Sequence, residues 1–176
     1  MRVGIGYDIH RLVPAPTASC IPLGGVPIPC SFRVEAHSDG DVLLHALVDA
    51  CLGALALGDI GQWFPDDAPE NKNRSSADFV ARVMATVREK GWDVANLDSV
   101  VFAESPKIGP YADAIRRSIS TILGIELASV SLKAKTMEGL GPIGERRAIA
   151  AQAIVALKEK KGFDASASNQ QPLRKT

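Results

Sequence analysis

The chain has 176 residues, of which 46% are hydrophobic and 23% charged, as is ordinary for one compact globular domain. Its 20 basic residues balance 20 acidic ones and only 5% of residues are aromatic, so the basic excess and stacking aromatics of nucleic-acid-binding proteins are missing. No apolar run reaches the roughly 18 residues of a membrane span, no signal-peptide pattern opens the chain, and three widely spaced cysteines suit a reducing compartment. We therefore expect a cytoplasmic protein without nucleic-acid or membrane partners.

The first third of the chain predicts a strand, a hairpin and a helix. Residues 1–8 alternate in the two-residue period of a strand. Residues 13–32 hold five prolines and a Gly-Gly pair, which favours an extended excursion or hairpin. A helix is expected to begin near Ser38, with Ser38 and Asp41 forming a capping box, and to stop at Gly58.

Five further elements follow, and the last of them is ambiguous. A Ser-x-x-Asp capping pattern opens a predicted helix over residues 75–91, and a proline opens another over residues 110–124. Residues 97–103 and 130–136 predict strands. Residues 147–158 are rich in alanine, which favours a helix, but they also alternate as a strand would.

All three histidines of the chain lie in its first 45 residues and beside acidic residues. Asp8 and His10, at positions i and i+2 of an extended segment, share one face. Taken singly, His45 could be a packed helix residue and Asp41 a complement to the helix dipole. Taken together, Asp8, His10 and His45 predict a three-ligand site for a divalent metal such as zinc, with the open fourth position of a catalytic centre.

Three loop motifs contain residues that suit phosphate binding. Glycines within residues 58–66 let backbone amides approach a ligand, while residues 103–107 and 133–139 place lysines at strand ends. Glu138, among these lysines, would suit a hard cation such as Mg²⁺ bridging phosphates. Each motif alone is more often solvated surface.

Together these motifs resemble the 2-C-methyl-D-erythritol 2,4-cyclodiphosphate synthase family. The resemblance runs from residue 1 to about residue 160 and rests on five motifs in the family's order and spacing: G-x-D-x-H, A-H-S-D-G-D-x-x-x-H, G-D-I-G-x-x-F-P-D, A-x-x-P-K and K-A-x-T-x-E-x-L-G. It implies a phosphorus–oxygen lyase of non-mevalonate isoprenoid biosynthesis. In the implied reaction, the 2-phosphate of 4-diphosphocytidyl-2-C-methyl-D-erythritol 2-phosphate attacks the β-phosphorus of its own CDP arm, and CMP leaves.

The resemblance also implies an architecture. Residues 1–161 would form one α+β domain with a four-stranded mixed sheet and helices packed on one face, as a β-α-β-α-β-β core plus an N-terminal hairpin. Residues 147–158 would then be a strand. Three copies would form a homotrimer with active sites between subunits, and contact with the preceding cytidylyltransferase is a further expectation. Residues 162–176 are polar, and we expect them to be a disordered tail.

Roles for single residues follow from the same resemblance. It implies zinc at Asp8, His10 and His45, and Mg²⁺ or Mn²⁺ at Glu138. His37 and Thr136 match positions that stabilise the transition state, and Asp59 matches the one that takes the methylerythritol hydroxyls. The implied substrate contacts are Asp8, Ile9, His10, His37, Ser38, Asp59, Ile60, Gly61, Phe64, Pro65, Asp66, Asp67, Ala68, Ala103, Glu104, Ser105, Pro106, Lys107, Ile108, Gly109, Lys135, Thr136, Met137 and Glu138. Our own inference, from i,i+4 spacing, is that Asp49 orients the His45 imidazole.

Two other functions remain open at this point. A metal-dependent phosphoesterase would use water as the nucleophile on the same metals and release a linear phosphate. A structural or partner-binding module, such as one complexed with the cytidylyltransferase, would need no chemistry at all. The intact set Asp8, His10, His45 and Glu138 argues against such an inactive scaffold.

Overall fold

The computed structural model describes residues 1–160, so the expected disorder of residues 162–176 lies outside the described residues. The strands are β1 (Arg2–Leu23), β2 (Val26–Glu35), β3 (Trp92–Phe102), β4 (Val130–Lys135) and β5 (Ala148–Glu159). The helices are α1 (Val42–Ala54), α2 (Ile60–Trp63), α3 (Ser76–Glu89), α4 (Ala112–Leu123) and α5 (Gly141–Gly144). No helix within residues 1–160 combines the length and the apolar character needed to cross a membrane.

The strands form one mixed sheet in the order β2-β1-β5-β3-β4, in which only β3 and β4 run parallel. The predicted α+β class and mixed sheet are confirmed, but the expected count of four strands is wrong, because the sheet has five within residues 1–160. The reason is the length of β1. Its residues 2–11 pair with β5 and its residues 11–23 pair with β2, so the N-terminal hairpin merges with the core sheet.

The alanine-rich segment is a strand, as the resemblance implied. β5 lies between β1 and β3 and pairs antiparallel with both, which satisfies its backbone on each side. Ala151, Ala153 and Val155 are fully buried toward the helices, whereas Ile154 on the opposite face is 43% exposed. Burial in the centre of a sheet therefore outweighs the weak preference of alanine for a helix.

The predicted start and end of the first helix are both wrong. Its N-cap is Asp41, not Ser38, and it ends at Ala54 rather than near Gly58. The buried Asp41 carboxylate accepts hydrogen bonds from the Leu44 amide at 3.0 Å and from the amides of Gly24 and Gly25, at 2.9 and 2.7 Å, in the β1–β2 turn. Complete burial raises the pKa of Asp41, an effect that these three donors oppose. Asp41 therefore joins the hairpin to α1.

Two other helix ends agree with the sequence, whereas the predicted start of α4 at Pro110 is wrong, because Pro110 lies in a 3-10 turn over Gly109–Tyr111 and α4 begins at Ala112. The Ser75 hydroxyl caps α3 by accepting from the Ala77 amide, although the Asp78 carboxylate pairs with Arg74 instead of completing a capping box. Gly124 ends α4 in the left-handed conformation with φ of 67°. These short-range signals depend only on neighbouring residues, which is why the sequence reveals them.

Helix α1 lies unusually close to β1, at two glycines that face it. A Cβ atom at Gly4 would lie 1.9 Å from the Ala50 carbonyl oxygen, and one at Gly6 would lie 2.0 Å from that of Ala46. Because both neighbours are backbone atoms, no side-chain rotation could make room. This contact holds the site-bearing part of β1 against α1.

We expect Gly6→Ala to lower the free energy of unfolding by at least about 3 kcal/mol, since the added methyl group forces strand and helix apart. Denaturant unfolding measures this change. Gly53→Ala in α1 is the matched control. Its Cβ would lie 3.8 Å from the Ile5 carbonyl oxygen of β1, an ordinary contact distance, so the free energy of unfolding should change by less than about 1 kcal/mol. Equal stabilities of the two variants would contradict the close packing.

Candidate metal and phosphate site

Three ligand-type side chains meet where β1 passes under α1. Asp8 and His10 point from β1 toward the helix layer, and α1 places the buried His45 over them. Asp8 Oδ2 lies 2.9 Å from His45 Nδ1 and 3.1 Å from His10 Nε2, and the two ring nitrogens are 3.1 Å apart. The structure therefore brings together the three residues that the sequence predicted as a metal site.

The chemistry of this donor set fits zinc. Two imidazole nitrogens and one carboxylate oxygen are the ligands that Zn²⁺ commonly takes, and their mutual distances let one ion contact all three. A three-residue set also leaves a coordination position for a substrate oxygen. Calcium or magnesium sites, in contrast, are built from oxygen ligands.

The protonation states of the set also favour a cation. Burial raises the pKa of Asp8, but the hydrogen bond with His45 and the charges of both imidazoles outweigh it, so the pKa is lowered overall. Burial lowers the pKa of His10, and the nearby Asp8 carboxylate only partly reverses this. At neutral pH the carboxylate is therefore ionised and His10 is neutral, the forms in which these groups bind a metal.

The residues behind His45 are not those that the sequence predicted. The Asp49 carboxylate turns away and accepts a hydrogen bond from the Ile60 amide at 2.7 Å, so the prediction that it orients His45 is wrong. His45 Nε2 instead lies 2.8 Å from Ser76 Oγ, and the Ser76 hydroxyl donates to Asp39. Ser76 is 31 residues from His45 in the chain, so no local spacing could reveal the contact.

A cavity of about 320 Å³ opens beside the three-residue set. Of the predicted substrate contacts, His37 and Ser38 form one part of its wall, and Ile60, Gly61, Phe64 and Asp66 form another. The sequence analysis missed four further residues that line it, Glu35, Ala36, Asn71 and Phe79. Phe79 stacks on Phe64 with ring centroids 4.3 Å apart, and the Asn71 amide donates to the Pro65 carbonyl at 3.0 Å.

Some predicted contacts do not line this cavity. Ile9 points to the opposite face of the sheet and is 43% exposed. The Asp59 carboxylate caps α2, because it accepts hydrogen bonds from the Gln62 amide and side chain at 2.9 and 2.7 Å. Pro65, Asp67 and Ala68 belong to the same loop but are absent from the cavity wall.

The remaining predicted residues, 103–109 and 135–138, form a second group at the ends of the parallel strands β3 and β4. None of them lines the cavity in the described chain. In the sheet register Asp8 is opposite Ala151, which is opposite Val101, which is opposite Ala134. Three strand spacings thus separate Asp8 from the β4 end, or roughly 14 Å.

The second group has its own hydrogen-bonded order. Glu104 Oε1 accepts from the amides of Met137 and Gly139, at 2.8 and 3.2 Å, and these two donors lower the Glu104 pKa. The Thr136 hydroxyl donates to Glu138 Oε1 at 2.6 Å. Glu138 adopts φ of 51°, a left-handed backbone conformation that is uncommon for a residue with a side chain and that Ala56, Asn73 and Arg146 also adopt.

Comparison with known proteins agrees with this arrangement of strands and helices. The family model described as the YgbB family matches residues 1–158. The chain belongs to the YgbB family. A curated 2-C-methyl-D-erythritol 2,4-cyclodiphosphate synthase of Thermosynechococcus vestitus is 47% identical over 158 residues, which span 90% of this chain and 96% of that one.

Two further similarities involve structures and a longer protein. The "IspF (Plasmodium falciparum) CDP complex" superposes with a TM-score of 0.79 at 39% identity, covering 91% of this chain and 97% of that chain. A "Bifunctional enzyme IspD/IspF" of Desulforudis audaxviator is 47% identical over 156 residues. This chain covers 89% of its own length but only 39% of that relative, so it corresponds to one part of the bifunctional protein.

Proposed function

We propose that the chain converts 4-diphosphocytidyl-2-C-methyl-D-erythritol 2-phosphate to 2-C-methyl-D-erythritol 2,4-cyclodiphosphate and CMP, as a phosphorus–oxygen lyase of non-mevalonate isoprenoid biosynthesis in the cytoplasm. The observation that carries this proposal is the meeting of Asp8, His10 and His45 beside a cavity of about 320 Å³. It occurs in a chain that is 47% identical to a curated synthase of that name over 158 residues.

The reaction asks for positioning and charge neutralisation, not for a protein nucleophile. The attacking group is a phosphate that the substrate itself carries, so no activated serine or cysteine is needed. Asp8, His10 and His45 would hold Zn²⁺, and Glu138 would hold Mg²⁺ or Mn²⁺. When bound, these ions would offset the negative charge of the phosphate oxygens. The residues of the chain then have to hold the two phosphates in line.

The two groups of side chains suit the two ends of this substrate. His37 and Ser38, with the loop from Asp59 to Ala68, would take the methylerythritol end, where a hydroxyl-binding carboxylate and an apolar wall are both needed. His37 is exposed on the cavity wall and would donate a hydrogen bond as charge develops on a phosphate oxygen. Residues 103–109 and 135–138, with Lys107 and Thr136, would take the cytidine and its phosphates.

We further propose that the active form is a homotrimer in which the second group of one subunit faces the metal-binding set of the next. The separation of roughly 14 Å between the two groups supports this, because one chain does not bring them together. A second support is the sheet face opposite α1, where Val3, Ile5, Tyr7, Ile9 and Ile154 are between 43% and 63% exposed. A row of apolar side chains on one face is typical of an interface.

Mixing two inactive variants tests whether sites are shared. His45→Ala and Glu138→Gln chains, unfolded together at equal amounts and refolded, should recover about a quarter of wild-type activity, since that share of sites joins an intact metal-binding set to an intact neighbouring loop. Each variant refolded alone is the control. No recovery in the mixture, with trimers formed, would place each active site within a single chain.

We also propose contact with the preceding cytidylyltransferase of the pathway. The support is the bifunctional relative from Desulforudis audaxviator, in which two enzymes are joined in one chain. Such contact would add to the catalytic function and would not replace it. Co-sedimentation of the two purified proteins checks it, and a complex that does not form at micromolar concentrations would contradict it.

The principal competing function is hydrolysis by the same metals. Incubation of the purified protein with 4-diphosphocytidyl-2-C-methyl-D-erythritol 2-phosphate and Mg²⁺, followed by phosphorus NMR, separates the two. The proposal expects CMP together with a cyclic diphosphate. A linear phosphate product would identify a phosphoesterase, and an unchanged substrate would favour a scaffold.

A further inference from the structure

We propose that Ser76 and Asp39 are positioning residues for the metal-binding set: the Ser76 hydroxyl accepts the ring proton of His45 and passes a hydrogen bond on to the Asp39 carboxylate. This relay rests on the proposed metal at Asp8, His10 and His45. Neither residue contacts the metal or the substrate in this scheme. Both act through the orientation and basicity of His45.

The direction of each hydrogen bond follows from which atoms carry a hydrogen. His45 Nδ1 faces Asp8 and His10, so it must carry a lone pair to serve as a ligand. The ring proton is then on Nε2, where it needs an acceptor. Ser76 Oγ lies 2.8 Å away and, having accepted that proton, can donate its own hydrogen only elsewhere. Asp39 Oδ1 lies next to Ser76 Oγ and accepts this hydrogen bond.

The Asp39 carboxylate is held firmly at the far end of the relay. It also accepts from the Ser76 amide at 2.9 Å and from the Asp41 amide at 3.2 Å. Ser76 is completely buried at the first turn of α3, so water does not compete for its hydroxyl. A fixed anion behind a metal-binding imidazole sets the ring plane and makes the ligand nitrogen more basic.

Ser38 provides a comparison within the same site. Its hydroxyl lies 3.1 Å from the same His45 Nε2, but it is only half-buried and also accepts from the Gly40 amide at 3.3 Å. No carboxylate lies behind it among the contacts of the described chain. The two hydroxyls therefore share one imidazole nitrogen, and only the Ser76 hydroxyl links it to a charge.

The test is the zinc affinity of the metal-free full-length protein, measured by competition with a chromophoric chelator and without substrate. Ser76→Ala should weaken zinc binding about 10- to 100-fold, and Asp39→Asn, which keeps an acceptor for the Ser76 amide but loses the charge, should weaken it in the same direction. Ser38→Ala should stay within about threefold of wild type, because its hydroxyl has no carboxylate behind it. Thermal unfolding of each variant shows that the fold survives.

Nitrogen NMR of the imidazoles gives a readout that a purely structural role would not move. In the zinc-bound protein, where the metal occupies His45 Nδ1, the His45 Nε2 proton should exchange slowly with water in the wild type and markedly faster in Ser76→Ala. Wild-type zinc affinity and an equally slow exchange of this proton in folded, zinc-bound Ser76→Ala would overturn the relay alone. A wild-type chain that binds no zinc would overturn both the relay and the metal site, whereas a zinc-binding chain that fails to cyclise the substrate would contradict only the proposed reaction.

Discussion

Replacing His45 with alanine should remove zinc from the protein and reduce turnover by at least about 1,000-fold, which corresponds to roughly 4 kcal/mol of lost charge stabilisation. His45 supplies one of three donor atoms that lie 2.9–3.1 Å from one another. Two remaining ligands hold the ion weakly, and the substrate phosphate loses its counter-charge. Metal analysis of the purified chain and steady-state CMP release measure the two effects.

Two companion variants make this result specific. His10→Ala removes a less buried ligand and should also lose zinc, so a folding defect caused by the buried His45 cannot explain both. His37→Ala is the control, because His37 lies on the cavity wall outside the three-residue set and should retain zinc while turnover falls. Full zinc occupancy in the His45→Ala and His10→Ala proteins would refute the metal site.

Replacing Glu138 with glutamine should leave zinc bound, weaken the Mg²⁺ dependence and reduce turnover by at least ~100-fold, equivalent to about 3 kcal/mol of transition-state stabilisation. The substitution keeps the shape of the side chain and the hydrogen-bond acceptor for Thr136 but removes the charge that would hold the second cation. Turnover measured across a range of Mg²⁺ concentrations reports the change.

The alternative for Glu138 is an exposed surface pair with Lys135, worth about 0–1 kcal/mol. Glu89→Gln, at an exposed position near the end of α3, is the control for loss of a surface carboxylate and should behave as wild type. If Glu138→Gln matched this control in turnover and in Mg²⁺ response, the second cation would have to be abandoned.

Much of the fold could be predicted because its signals are local. The strand alternation, the Ser75 cap of α3 and the Gly124 end of α4 each depend on a few adjacent residues. The five-stranded sheet could not be predicted in the same way. It depends on β1 being long enough to pair with β5 over one half and with β2 over the other, which is a property of pairing between distant segments.

In the site, too, the residues that could be predicted are those that local spacing reveals. Asp8 and His10 share a face through strand periodicity, and the histidine-rich pattern pointed to His45. The partner of the His45 imidazole could not be found this way, because Ser76 reaches it from another helix, while helical spacing pointed to Asp49. The wrong cap at Ser38 has a similar cause, since Asp41 is selected by contact with the distant Gly24–Gly25 turn.

The most direct test of the proposed reaction is turnover in water enriched in ¹⁸O, with mass spectrometry of both products. The proposed nucleophile is the substrate's own 2-phosphate, so neither the cyclic diphosphate nor the CMP should gain an ¹⁸O atom during the reaction. One ¹⁸O atom incorporated per turnover into either product would show that water attacks phosphorus, and it would contradict the cyclisation.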